Sequence, residues 1–213
     1  MKIKGIKKYS VLILFAGLLI GSSSAQQSNN VEYSVSPQSK LFIDCTSTLH
    51  NFKVNATKIN GSVSIVSNSD QNTNGVKISE LKVIIPVKNL DTDKKSMNSN
   101  MDKSLKAEKN PDISYALNSV DTFKLSEDPS KPDTIKTTGT LNIAGVTKNI
   151  QMDVAGYRSA DGTLHFSGEK KINMVDYGID PPTMFFGTIR VGKDVNVHFD
   201  LVLTAQTQLI GSK

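Results

Sequence analysis

The sequence predicts an all-β fold, an antiparallel barrel or sandwich of eight or more strands. Apolar and polar residues alternate with period two along most of the chain, as they do in strands that bury one face. Turn-forming stretches such as NTNG, SEDPSKPD and SADG separate these segments. The order of the segments along the chain favours a meander of antiparallel strands.

The individual strands follow from this alternation. The clearest one lies near the end of the chain, with an apolar face formed by Val195, Val197, Phe199, Leu201 and Leu203. Two further strong patterns cover residues 81–87 and 141–154, the second with a turn around Gly145. Weaker patterns predict strands at 31–36, 39–47, 52–66, 111–121 and 163–174.

One segment predicts a helix instead. Met97, Met101 and Leu105 recur every fourth residue, which places them in one stripe of a short amphipathic helix. Asp91 to Asp93 are candidates for its cap, and Asn110-Pro111 is expected to end it. The helix either closes one end of the barrel or forms an adaptable methionine lid over a hydrophobic cavity.

A second irregular segment, VDYGIDPPTMFFG (residues 175–187), is too apolar for a solvated loop. Gly178, Pro181 and Pro182 oppose regular strand pairing there. Tyr177, Ile179, Met184, Phe185 and Phe186 are expected to fold back onto the barrel. The segment either plugs the barrel end or forms a rim that contacts an apolar ligand.

The first residues predict export. Lysines precede the apolar run VLILFAGLLI, and small residues follow it, so residues 1–25 are interpreted as a cleaved secretory signal. Residues 26–213 then form one domain that is periplasmic or secreted, without a stable membrane anchor. Removing the four lysines of the signal leaves 21 basic residues against 20 acidic ones, and this balance argues against nucleic acid as a partner.

The stretch DCTSTLHNF (residues 44–52) raises the question of a nucleophile and its base. Alternation places Cys45 among core-facing residues and His50 on the opposite face of a continuous strand, so the two should not meet. Ser47 and His50 also face opposite ways unless the chain bends. His50 shares the phase of Phe52 and Val54, which turns it toward apolar surroundings, whereas His165 and His198 are expected to face solvent.

No other recognisable chemistry emerges from the residues. The three histidines lack metal-ligand spacing, and no acid–base pair or glycine-rich phosphate loop is present. We therefore expect no catalytic residues, no metal and no cofactor.

Taken in order, four stretches resemble the YceI-like family of exported lipid- and polyisoprenoid-binding proteins. They are STLHNF, MNSNMDKSLKAEKNPDISY, GTLNIAGVTKNI, and FSGEKKINMVDYGIDPP followed by VGKDVNVHFDL. The resemblance implies an all-β, lipocalin-like antiparallel β-barrel of about eight strands with one short amphipathic helix. It also implies an interior that holds a long apolar chain, with no enzymatic step. The absence of tryptophan leaves the width of the pocket open.

The resemblance also suggests ligand-binding residues. It places Met97, Met101 and Leu105 at a lid and Tyr177, Ile179, Met184 and Phe186 on the opposite wall, with inward residues such as Phe199 around the ligand tail. The ligand would be a polyisoprenoid, a fatty acid or a related amphiphile. The alternatives are a ligand-free structural or stress-related barrel that acts through its surface, and a hydrolase that uses Cys45 or Ser47 with His50. Homodimer formation is left open.

Overall fold

A computed structural model describes residues 30–67, 76–121, 123–184 and 187–206. The predicted signal, residues 1–25, lies outside this range. The all-β prediction is confirmed, since nearly all regular structure is antiparallel strand. The strands are β1 (Asn30–Val35), β2 (Lys40–Ser47), β3 (Phe52–Ala56), β4 (Asn60–Ser67), β5 (Val76–Pro86), β6 (Leu90–Asp91), β7 (Asp112–Val120), β8 (Asp133–Ile143), β9 (Val146–Arg158), β10 (Leu164–Asn173), β11 (Thr183–Met184) and β12 (Ile189–Ala205).

Eight of these strands close into a barrel, as predicted. Their order is β1-β4-β5-β7-β8-β9-β10-β12, and β12 pairs back to β1 from Tyr33↔Ala205 to Val35↔Leu203. Closure therefore leaves neither β1 nor β12 as a free edge of the sheet.

A three-stranded extension leaves the barrel at β12. There β2 pairs with the first part of β12, β3 pairs with β2, and the short β6 pairs with β3. The single strand predicted over 52–66 is therefore wrong: it divides into β3 and β4. The chain turns between them, where the Thr57 N–H donates to the Asn89 carbonyl at 2.8 Å.

The predicted helix is present as α1 (Lys95–Ser104), but both of its ends differ from the prediction. Its N-cap is Lys94, which makes no capping hydrogen bond through its side chain. Asp91 instead accepts a 2.7 Å bond from the Asn98 amide and so ties the helix to β6. The helix ends well before Asn110 because Lys106 adopts a left-handed conformation, φ 56°.

The core consists of two clusters, one toward each end of the barrel. The first joins β2, β3 and β6 to Leu105 and to the segment of Tyr177 and Ile179, with Met101 packed against it. The second lies among β1, β4, β8, β9, β10 and β12, and contains Leu164, Leu203 and Val63, which are almost completely buried. The second cluster therefore packs together residues of six barrel strands.

None of the helices in the described part of the chain is long and apolar enough to cross a membrane.

Candidate binding cavity

A cavity lies inside the barrel between the two core clusters. The centre of a water-sized sphere can occupy about 170 Å³ of it. A single water needs only about 10–15 Å³ measured in this way, so the barrel is hollow rather than filled.

The cavity is elongated. Ile135 and Ile143 both line it, and they lie at the two ends of β8. At about 3.3 Å per residue, this separation corresponds to roughly 26 Å along the strand. A space of this shape accommodates an extended chain better than a compact molecule.

The wall of the cavity is almost entirely aliphatic and aromatic. Inward positions of the barrel strands supply most of it, together with Leu41 and Ile43 of β2 and Leu90 of β6. Such a wall offers little to a polar ligand and favours the transfer of a hydrocarbon chain out of water by about 0.8 kcal/mol per methylene.

Three polar side chains interrupt this wall: Tyr115, Thr137 and Lys170. The Thr137 hydroxyl donates to the Met152 carbonyl at 3.1 Å, and the Lys170 ammonium donates to the Gln151 carbonyl at 2.8 Å. The buried Tyr115 hydroxyl makes no hydrogen bond within the described residues. Burial raises the pKa of Tyr115, and the neighbouring Thr137 hydroxyl partly offsets that rise.

Gly139 shapes the wall next to Tyr115. A β-carbon at Gly139 would clash with the Cε2, Cζ and hydroxyl oxygen atoms of Tyr115. Glycine therefore allows the ring to lie flat across β8, where a larger residue would push it into the cavity.

The predicted lid residues lie beyond one end of this cavity. Leu105 is buried in the first core cluster, Met101 packs against that cluster, and Met97 is half-buried on the same helix. The lining itself is formed by other side chains.

Only some of the residues predicted to form the opposite wall are described by the structure. Tyr177 and Ile179 are buried in the first cluster, which confirms that their segment folds back onto the barrel. A 3₁₀ helix over Met174–Tyr177 brings them there, and the Asn173 side chain caps it by accepting from the Val175 N–H at 3.0 Å. Met184 belongs to the short β11, which pairs with β12, while Phe186 lies outside the described residues. Phe199 lines the cavity directly.

The stretch 44–52 forms a strand end and a turn. The Ser47 hydroxyl donates to the backbone carbonyl of His50 at 2.7 Å and accepts from the N–H groups of Leu49 and His50. Because the chain turns here, the alternation does not extend to His50, and its predicted apolar environment is wrong: the residue is exposed.

Cys45 is buried, as expected. Burial raises the pKa of its thiol to about 12, and the charge of Asp44 adds to the rise. A thiol with this pKa is a poor nucleophile at neutral pH, which argues against a cysteine hydrolase.

The remaining histidines lie on the outer face and take part in separate contacts. His165 stacks on Tyr157, with 4.5 Å between the ring centres. His198 stacks on Phe42 and lies 3.2 Å from Asp44 and 3.6 Å from Glu169. Among the residues described, no three His, Cys, Asp or Glu side chains form a group that could hold a metal ion.

Tyr115 and Lys170 are site residues that the analysis of the sequence missed. Both lie on the inward face of their strands. Lys170 is an even number of positions from Phe166 and Ile172, and Tyr115 is two positions from Ile113 and from Leu117. Alternation could therefore have identified them. The signal in the sequence is a lysine, Lys170, on a strand face that is otherwise apolar.

Comparison with known proteins agrees with this architecture. The model of the YceI-like domain matches residues 33–203. Burkholderia cenocepacia BcnA has a similar structure, with a TM-score of 0.62 at 18% identity, over 80% of this chain and 99% of BcnA. A polyisoprenoid-binding domain from Saccharophagus degradans, implicated in plant cell wall breakdown, has a TM-score of 0.63 at 14% identity, over 82% of this chain and 98% of that domain.

No curated protein sequence matches the chain. The two structural neighbours share too little sequence to indicate more than the fold. The family model, in contrast, spans the barrel from β1 to a point two residues before the end of β12. The chain therefore belongs to the YceI-like domain family.

Proposed function

We propose that this protein is an exported binding protein that holds the hydrocarbon chain of a polyisoprenoid, fatty acid or related amphiphile inside its barrel, and that it catalyses no reaction. The observation that carries the proposal is the elongated, almost entirely apolar cavity. The family assignment supports it, as does the similarity in fold to a polyisoprenoid-binding domain.

The cavity favours this function over that of a ligand-free structural barrel. A barrel that acted only through its surface would gain stability by filling its interior, because each buried methylene contributes about 0.8 kcal/mol. The hydrogen bond from the Ser47 hydroxyl to the His50 carbonyl and the raised pKa of the Cys45 thiol both argue against a hydrolase that uses these residues.

Export is the second part of the proposal. It rests on residues 1–25, whose lysines, apolar run and small residues have the pattern of a secretory signal. Export would place the barrel in the periplasm or outside the cell, where it could shield the chain of an amphiphile from water.

The experiment that tests the binding function reduces the cavity. Leu141 lines the cavity near the end of β8, and Leu141→Trp would place an indole in the path of a ligand chain. Lys136→Trp adds the same ring at an exposed position of the same strand and serves as the control. Since the chain has no other tryptophan, the indole also reports on ligand binding by its fluorescence.

We expect Leu141→Trp to weaken the binding of a fluorescent C18 fatty acid to the delipidated protein at least tenfold, and Lys136→Trp to leave it unchanged. Equal affinity in both variants, with folding confirmed by circular dichroism, would contradict binding in the cavity.

A further inference from the structure

The ladder between β9 and β10 stops partway along the two strands. β9 and β10 pair from Leu164↔Arg158 to Gly168↔Val154, and in the described structure no ladder joins residues 146–153 to residues 169–173. Both strands remain regular there, because β9 continues to pair with β8 and β10 with β12. This unpaired stretch is therefore a gap between two ordered strands, which we name the lateral gap.

The cavity extends to this gap. Ile150 and Met152 on β9 and Lys170 and Ile172 on β10 face each other across it, and all four line the cavity. Ile150, Met152 and Lys170 are partly exposed, whereas Val154 and Phe166, where the strands are paired, are buried. The cavity wall on this side is therefore formed by side chains of two strands that do not pair with each other.

Lys170 places a positive charge in this gap. Its ammonium donates to the neutral Gln151 carbonyl, and none of the ion pairs among the described residues includes it. An ammonium has three donors, so two remain for another acceptor. Its sequence neighbours differ: Glu169 and Lys171 point outward and pair with His198 and Asp194, respectively.

A second lysine lies on the same face. Lys148 is opposite Leu141 in the register, one inward position beyond Ile150 on β9. Its ammonium lies 5.9 Å from the centre of the Tyr177 ring. The negative charge of Asp176 also acts on this ring, because it contributes to raising the pKa of Tyr177. Two lysines thus lie on this side of the barrel: Lys170 in the wall of the cavity, and Lys148 exposed on the neighbouring strand.

We propose that the lateral gap is the head-group site, where Lys170 binds the anionic group, a carboxylate or a phosphate, of an amphiphile whose chain occupies the cavity. This inference rests on the proposed binding function and adds the chemical class of the ligand. Lys170 is the one charged side chain among those that line the cavity in the described structure, and an anionic head group would accept charge-assisted hydrogen bonds from its remaining donors.

The test compares amphiphiles that share a chain and differ in charge. The pairs are oleic acid with oleyl alcohol, and farnesyl diphosphate with farnesol. They are titrated into the delipidated wild-type protein, Lys170→Gln and the control Lys171→Gln, which removes the same charge from an outward position of β10.

We expect the wild type and Lys171→Gln to bind at least one anionic member about tenfold or more tightly than its alcohol, since a charge-assisted hydrogen bond commonly has such an effect. Lys170→Gln should bind acid and alcohol about equally, with its affinity for the alcohol unchanged. The pair that shows the larger preference identifies the head group as carboxylate or phosphate.

Charge reversal provides an independent check. Lys170→Glu should prefer oleylamine to oleic acid, and added salt should weaken each charge-dependent preference. If the wild type binds acid and alcohol equally, or if Lys170→Gln keeps the preference for the acid, the head-group site is overturned while the binding function stands. If no probe binds to any variant, the binding function fails, and the head-group site fails with it.

Discussion

At the scale of single residues, the geometry of one strand and one turn separates Cys45, Ser47 and His50. Cys45 points into the core from β2, the Ser47 hydroxyl bonds to the backbone of the turn, and His50 is exposed. A nucleophile requires a base within hydrogen-bond reach, and the Ser47 hydroxyl is instead bonded to backbone groups of the turn. The stretch stabilises the end of a strand.

This arrangement predicts an unreactive thiol. With a pKa of about 12 in the folded protein against 9.0 for a free thiol, the thiolate fraction of Cys45 at pH 8 should be roughly a thousandfold lower than in the unfolded chain. The rate of modification by Ellman's reagent, with and without guanidinium, measures this difference. Rapid labelling of the folded protein would contradict the burial of Cys45.

Residue-level prediction from the sequence succeeded where a strand continues and failed where it ends. The alternation Leu41, Ile43, Cys45 places the cysteine correctly because β2 remains regular through Ser47. It misplaces His50 because a turn resets the phase. Lys170 was recoverable from the same alternation, but the significance of its charge depends on the gap between β9 and β10, which the sequence does not reveal.

At the scale of elements, α1 packs through Met101 against the first core cluster. Its stripe was predictable from the spacing of Met97, Met101 and Leu105, and the structure places Met101 and Leu105 against the first core cluster. The ends of the helix were not predictable, because Asp91 contacts Asn98 in the second turn and Lys106 takes a left-handed conformation. Both depend on the tertiary position of β6.

A charge in this stripe tests the lid proposal. Met101→Asp should lower the free energy of unfolding by about 1–2 kcal/mol, because it replaces a packed apolar side chain with a carboxylate. It should also weaken the retention of long-chain ligands while the barrel stays folded. Ser99→Asp adds the same charge at an exposed position of α1 and serves as the control.

Retention of a bound C18 fatty acid during gel filtration measures the effect, and circular dichroism confirms folding. Equal retention of the fatty acid by Met101→Asp and Ser99→Asp would contradict the proposal that α1 acts as a lid.

At the scale of the whole molecule, closure of the sheet and the hollow interior have different origins. Period-two alternation and short turns predicted an antiparallel barrel or sandwich of eight or more strands, and the resemblance to the YceI-like family implied the barrel of about eight strands that the structure shows. The same alternation cannot distinguish a hollow barrel from a filled one, because inward apolar residues have the same sequence pattern in both. The cavity becomes visible only when Phe199, Leu141 and their neighbours are placed in space.

Mass spectrometry of the purified protein under non-denaturing conditions, followed by organic extraction, tests the central claim most directly. We predict a complex whose mass exceeds that of the polypeptide by one long-chain amphiphile, released on extraction and restored by adding the same compound. A protein that carries no ligand and also takes up no added fatty acid or isoprenoid would contradict a binding function for the cavity and would favour a barrel that acts through its surface.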